Sequence, residues 1–402
     1  MNKIIRSENS HDAKKFMTGD VISISLAHLA HDTYSSFLAP ILPLLIEKLG
    51  INLSMAGMLS VIHRIPMLFN PFIGILADNM KVRYLIILSP AITTVTMSLI
   101  GVASSYVMLA FLLFIAGISS TMFHVPSPVM IKRISGDKLG KGMSFFMGGG
   151  ELARSLGPLV IVAAVTHWGL EGTYKLIPFG LAASIVLYFR LRNIDLREDF
   201  RKEKEKVSYY STFRKSLSTF LKLGMIIFFR GAMKSALTLY LAVYLTDKGY
   251  SLWFAGISLS VIQLDGVAGT FTAGTISDKI GRRTAMVMIT IISPFLMWLF
   301  INSGGFMTYP ILIITGFFLV APGPVMLAIV QEIDTKHLAF VNGIFMTISF
   351  GLSSIMLLLV GILADNFGLD KTYSIAAIIA LLAIPFAFLL PKKNVKVNNY
   401  QV

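Results

Sequence analysis

Long apolar stretches recur along the whole chain, and short polar segments separate them. Each stretch is long enough to cross a hydrocarbon core of about 30 Å as a helix. A bundle of helices also satisfies its backbone polar groups internally, as lipid requires. The pattern therefore predicts an all-α membrane protein with twelve spans, at residues 20–47, 54–77, 84–102, 106–131, 142–166, 174–190, 221–246, 251–277, 284–301, 307–331, 338–364 and 371–390.

The most polar internal stretch divides these spans into two groups of six. The polar start of the chain lacks the basic-then-apolar plan of a cleaved signal peptide, so we expect the first span to act as the signal. The predicted units are an N-terminal segment (1–19), a six-helix bundle (20–190), a linker (191–220), a second six-helix bundle (221–390) and a C-terminal tail (391–402).

A short motif occurs once in each predicted bundle. Gly74, Asp78 and Arg83 in the first recur 200 residues later as Gly274, Asp278 and Arg283. A repeat at half the chain length is typical of secondary transporters built from two related halves, whose binding site lies between the halves near the membrane midplane.

Charge is sparse and unevenly distributed. Only 14% of the 402 residues are charged, and the formal net charge is +14. Of the 35 Lys and Arg residues, the predicted cytoplasmic segments hold 27 and the opposite side holds four. This bias places both termini in the cytoplasm and favours a bacterial inner membrane over a nucleic-acid partner. The chain has no cysteine, so disulfides and thiolate metal sites are excluded.

The second copy of the motif carries a family resemblance. It continues as Gly274-x-x-x-Asp278-Lys279-x-Gly281-Arg282-Arg283, which resembles the loop signature of the major facilitator superfamily. We expect Asp278 to pair with the arginines as a charge latch that breaks and reforms during transport. We also expect Gly274 to let two helices approach closely.

Three further segments, at residues 28–43, 123–142 and 148–158, are similar to the fosmidomycin-resistance branch of that superfamily. The resemblance implies proton-coupled export of small, often anionic or drug-like molecules. It also implies a monomer in the lipid bilayer that needs no cofactor beyond the proton gradient.

Ionisable residues inside spans are costly and are candidates for function. We assign proton coupling to the carboxylates and their neighbouring imidazoles: Asp32, Glu151, Asp265, His28 and His31. His28 and Asp32 share a helix face because they are four residues apart. Two alternatives stay open. His28 and Asp32 only hydrogen-bond to each other where two helices cross, or His28, His31 and Asp32 bind a metal. The prediction is that no metal binds.

Four cations also lie inside predicted spans. We expect them, with Tyr34, to line one cavity that attracts an anionic or amphiphilic substrate, and we assign substrate binding to Arg64, Arg154, Arg230, Lys234 and Tyr34. The alternative is that each cation is neutralised by a carboxylate. Glu151 and Arg154, three residues apart, could form such a pair.

The leading prediction is a proton-driven antiporter that exports a small organic anion or amphiphilic drug by alternating access of its two halves. A proton-coupled uptake symporter or an anion exchanger would use a cationic cavity equally well. We do not expect an enzyme or a receptor, because the sequence shows no nucleophile–base motif, metalloprotease helix or phosphate-binding loop.

Overall fold

The computed structural model describes residues 16–70, 82–136, 139–192, 209–333, 335 and 338–392, and every regular element in them is helical. The first half contains α1 (Thr18–Ser35), α2 (Leu38–Leu49), α3 (Leu53–Arg64), α4 (Val82–Ser98), α5 (Tyr106–His124), α6 (Ser127–Ile134), α7 (Leu139–Trp168) and α8 (Ile177–Leu191). The second half contains α9 (Tyr209–Thr238), α10 (Leu241–Asp247), α11 (Leu252–Ile280), α12 (Arg282–Ile301), α13 (Thr308–Val320), α14 (Pro322–Gln331), α15 (Leu338–Phe367), α16 (Leu369–Leu381) and α17 (Ala383–Phe388).

The helices of the described residues are consistent with the predicted spans, and residues 71–77 of the second span lie outside the described residues. Ten helical segments of the described chain are long and apolar enough to cross a membrane, and Leu53–Phe69 is a shorter apolar one. The consecutive helices α1 and α2 occupy the place of the remaining span. The fold is therefore that of an all-α membrane protein.

Five predicted spans are each divided between two α-helices. The first breaks between Ser35 and Leu38, where Pro40 has no N–H to donate to the carbonyl of Ser36. Breaks also separate α5 from α6, α9 from α10, α13 from α14, and α16 from α17. Pro126 and Pro322 lie at two of them, as expected for residues that end helices.

The two halves meet mainly through two helix pairs. Helix α7 packs against α11, and α3 packs against α15. In the first pair, Ser155 Oγ donates to the carbonyl of Ser260 at 3.2 Å, and a Cβ on Gly256 would lie 2.9 Å from Val162. These contacts run through apolar surfaces of both halves, so the core of the molecule is shared between them.

A second link between the halves lies at the end of the bundle away from the termini. The Asp365 carboxylate, at the end of α15, accepts hydrogen bonds from the backbone N–H groups of Leu53 at 2.7 Å and Ser54 at 2.8 Å. These groups begin α3, where the helix dipole favours a negative charge. Nearby, the Tyr240 hydroxyl donates to the carbonyls of Leu53 and Leu357. This end of the interface is closed.

Candidate functional site

A cavity of about 690 Å³ lies between the halves. Helices α1, α3, α5 and α7 supply one wall, and the first turns of α15 supply the other. Its polar lining includes Asp32, His63, Ser120, His124, Arg154 and Thr347.

Asp32 is the buried acid on this wall. Its Oδ2 lies 3.3 Å from His28 Nε2, and its Oδ1 lies 2.9 Å from His31 Nδ1 and 3.3 Å from His124 Nε2. Two of the histidines share α1 with Asp32, while His124 ends α5. One carboxylate is therefore surrounded by three imidazoles from two helices.

The second nitrogens of two rings fix their tautomers. His28 Nδ1 lies 2.8 Å from the carbonyl oxygen of Phe146, and His124 Nδ1 lies 2.9 Å from that of Ser120. A carbonyl oxygen only accepts, so both Nδ1 atoms are donors. In the neutral rings, the Nε2 lone pairs then face the Asp32 carboxylate. That arrangement is repulsive unless a proton lies between them.

Aromatic rings hold the histidines in place. His28 stacks on Phe146 with ring centroids 4.1 Å apart, and His31 stacks on Phe123 at 4.8 Å. A Cβ on Gly150 would lie 2.4 Å from the His28 ring. The glycines at 149 and 150 thus bring α7 against α1 within the first half.

A metal ion is the alternative occupant of this group. His28, Asp32 and His124 each offer one ligand atom, and these atoms lie within 4.8 Å of one another. The metal alternative drawn from the sequence has His31 as the third ligand in place of His124. However, His31 Nδ1 forms a hydrogen bond with Asp32, and His31 Nε2 is buried without a partner.

Arg64 and Arg154 line an adjoining cavity of about 270 Å³ together with His63, Ser60 and Gln263. Arg154 pairs with Glu151 one turn earlier on α7. Arg64 makes no ion pair with any carboxylate in the described part of the chain. The Arg64 charge is therefore available to a ligand between the halves.

Arg230 and Lys234 line a separate cavity of about 240 Å³ in the second half. Arg64 and Arg154 come from α3 and α7, and Arg230 and Lys234 both come from α9, so the two pairs line different cavities. One cavity lined by all four cations stays a prediction. The four cations are still close enough for their charges to interact. Lys234 interacts electrostatically with Arg64, Arg154, Arg230 and Glu151.

The last two assigned residues lie elsewhere. Tyr34 is buried and its hydroxyl donates to the Leu176 carbonyl at 2.6 Å, inside the first half. Asp265 is on α11 and is not among the residues that line these three cavities. Their assigned roles in substrate binding and proton coupling stay predictions without a contact that supports them.

The loop motif of the second half joins three helices. Arg282, at the start of α12, pairs with Asp278 and lies 3.3 Å from Glu332 Oε1 at the end of α14. Gly281 has φ +91°, which favours glycine, and Arg283 lies over the Phe388 ring. Close helix packing at Gly274 stays a prediction: among the described residues, a Cβ there would meet nothing within 4 Å.

The first copy of the motif is only partly described. Gly74 and Asp78 lie outside the described residues, and Arg83 stacks over the Tyr84 ring at 5.2 Å from its centroid.

Sequence reasoning missed two residues of these sites. His124 lies at the end of the fourth predicted span, and nothing in its own helix connects it to Asp32. Glu332 follows a span and is 50 residues from Arg282 in the chain. Both connections arise from helix packing, which a local pattern does not encode.

Comparison with known proteins agrees with this architecture. The family model described as Major Facilitator Superfamily matches residues 24–356 and 266–400. The fosmidomycin resistance protein of Escherichia coli (strain K12) is 26% identical over 375 residues, which cover 91% of each chain. The multidrug resistance protein MdtG of Salmonella typhimurium is 25% identical over 65% of this chain and 67% of its own.

Solved structures show the same fold. A bacterial homologue of the human lysosomal transporter Spinster, in an inward-facing and unoccupied conformation, superposes with a TM-score of 0.80 at 14% identity, covering 94% of this chain and 97% of its own. A D-xylose–proton symporter gives 0.73 at 12% identity, covering 94% and 99%. The family match extends over nearly the whole helical region, and the chain belongs to the Major Facilitator Superfamily of membrane transporters.

Proposed function

We propose that this transporter is a proton-coupled antiporter that exports a small organic anion or amphiphilic drug. The observation that carries the proposal is the position of Asp32, which is surrounded by three histidines on the wall of a cavity lined by both halves. A coupling group must hold a proton in one state and release it in another, and this cluster changes its surroundings whenever the halves move.

The geometry of the cluster gives a physical reason for the proton to be released. In the conformation described, the Nε2 atoms of His28 and His124 face the carboxylate, so at least one proton is needed among them. Charged or titratable groups from neighbouring helices line the same cavity: Arg154 on α7 and His63 on α3. Movement of α5 or entry of an anion changes this balance and favours a different protonation state.

The substrate class follows from the cations and from the relatives. Arg64 and Arg154 face the space between the halves, and Arg guanidinium matches carboxylate and phosphonate groups through two parallel hydrogen bonds. The relatives include proteins named for resistance to fosmidomycin and to multiple drugs. With the termini in the cytoplasm, the cavity faces the cytoplasm and the Asp365 contact closes the opposite side.

The test uses proteoliposomes containing a pH dye, treated with a chelator, under an imposed proton gradient. Fosmidomycin and a panel of small anions are added to the wild type, Asp32→Asn and Asp370→Asn. The last is a matched control, because Asp370 pairs with Lys248 away from the cavities. We expect substrate-evoked proton flux in the wild type and control, and at least a tenfold loss in Asp32→Asn. Substrate movement without proton flux would contradict antiport. Flux that needs added Zn²⁺ would favour the metal alternative.

A further inference from the structure

The two halves carry different charged groups in corresponding regions. The breaks after α1 and α9 are 203 residues apart, since Ser35 corresponds to Thr238 and Leu38 to Leu241. Helices α7 and α15 are both 30 residues long and begin 199 residues apart. The first offset aligns His28 and Asp32 with Gly231 and Ser235, so Arg230 and Lys234 each lie one residue before the aligned position.

The surroundings also correspond. His28 stacks on Phe146 of α7, and the equivalent Phe345 of α15 lines the cavity that contains Arg230. The region that holds a histidine-bound carboxylate in the first half therefore corresponds to a region with two cations in the second.

Arg230 is an incompletely paired buried cation. It is 6% exposed, and one terminal nitrogen donates to Ser293 Oγ at 3.0 Å and to the Phe318 carbonyl at 3.1 Å. Its Nε is buried without a partner, as is the hydroxyl of Ser349 on the same cavity wall. Neither Arg230 nor Lys234 forms an ion pair with a described carboxylate. A buried charge without a counter-charge is costly, so the site favours an anion.

Apart from Ser349 and Ser353, the rest of the wall is apolar. Its side chains come from three spans: Ile226, Ile227, Leu319, Val320, Met326 and Phe345. The volume of about 240 Å³ holds on the order of eight water-sized groups. That space fits one anionic head with a short apolar tail, and it is too small for a lipid with two full acyl chains.

We infer that the Arg230 cavity is the substrate subsite of the second half, and that it binds a single-tailed amphiphilic anion through its head group and tail together. The inference rests on the proposed export function, in which Asp32 of the first half carries the proton. Proton and substrate would then bind in corresponding regions of the two halves.

Equilibrium binding without any gradient tests this subsite separately from transport. The protein is placed in phosphatidylcholine nanodiscs and titrated calorimetrically with octanoate, acetate or octanol, with empty nanodiscs as the partition baseline. We expect octanoate to bind at least tenfold more tightly than acetate, which has only the head, or octanol, which has only the tail. The Kd for octanoate should rise at least tenfold in Arg230→Gln and less in Arg230→Lys.

Two further measurements make the result decisive. Asp370→Asn, whose carboxylate pairs with Lys248 away from the cavities, should bind octanoate as the wild type does. The binding assay uses no gradient, so a failure of proton coupling leaves this result intact. Lys234→Gln should also weaken binding, and it covers the case in which Arg230→Gln does not fold, as judged by thermal unfolding. Unchanged octanoate affinity in folded Arg230→Gln and Lys234→Gln would overturn the inference. Displacement of octanoate by two-chain phosphatidylglycerol at equal concentration would overturn it as well, since the occupant would then be a bilayer lipid.

Discussion

At the scale of single residues, the environment of Asp32 depends on the absence of a side chain at Gly150. A Cβ at this position would lie 2.4 Å from His28 Cε1, and the ring cannot move aside because it stacks on Phe146. The histidine must keep its place for its Nε2 to face the carboxylate. Gly148, two residues earlier on the same helix, has nothing within 4 Å of its Cβ position.

We therefore expect Gly150→Ala to displace His28 and to lower substrate-evoked proton flux at least tenfold. Gly148→Ala is the matched control and should transport normally, since it adds the same methyl group and the same gain of about 1 kcal/mol in helix propensity. Proton flux in proteoliposomes and thermal unfolding of both variants are the measurements. Equal flux in the two variants would show that the position of His28 does not matter for coupling.

Sequence alone identified part of this cluster. His28 and Asp32 are four residues apart on one helix, a spacing that a local pattern reveals. His124 lies 92 residues further along than Asp32, and it reaches the carboxylate only because α5 packs beside α1. The four cations were recognised as functional candidates by their cost in a membrane, but their division between cavities depends on which face of each helix meets a neighbour.

At the scale of elements, the connection between α11 and α12 depends on one backbone conformation. Gly281 has φ +91° and ψ 143°, a region that is strained for residues with a Cβ. It follows Ile280 directly and lets Arg282 turn back to the Gly274 carbonyl, to Asp278 and to Glu332. The charge latch that the motif predicts is therefore built on this turn, and it extends to α14.

Gly281→Ala should destabilise the protein by about 1–3 kcal/mol, the usual cost of forcing a residue with a side chain into such a conformation. Gly274→Ala adds a methyl group to open space on α11 and should leave stability unchanged or slightly raised. Denaturant or thermal unfolding of the purified variants measures how far each substitution changes the free energy of unfolding. A larger loss in Gly274→Ala would support the role in close helix packing that the sequence suggested.

At the scale of the whole molecule, the fold follows from patterns that repeat along the chain. The conformational state, with one end of the interface closed, does not follow from these patterns. Apolar stretches, the repeated motif and the polar linker predict the helices and the halves. The closed end, by contrast, depends on Asp365 of one half meeting the first N–H groups of α3 in the other. This contact joins residues more than 300 positions apart, and no periodicity in the sequence indicates it.

Alternating access requires the Asp365 contact to break, so its strength sets the balance between the two states. A carboxylate at a helix N-terminus contributes about 0.5–2 kcal/mol, and loss of 1.4 kcal/mol changes an equilibrium about tenfold. Asp365→Ala should therefore shift the population away from the state described here. The control is Asp370→Ala. This substitution removes an acid that pairs with Lys248 inside the second half, and that ion pair does not link the two halves.

Because the chain has no cysteine, Thr347→Cys on the cavity wall reports this shift directly. A membrane-impermeant maleimide applied from the side of the termini should label it several-fold more slowly in Asp365→Ala, since the cavity spends less time open on that side. Labelling in Asp370→Ala should match that of Thr347→Cys alone. If Asp365→Ala labels as fast as the control, the contact does not hold the far end closed, and the packing of α3 on α15 must do so instead.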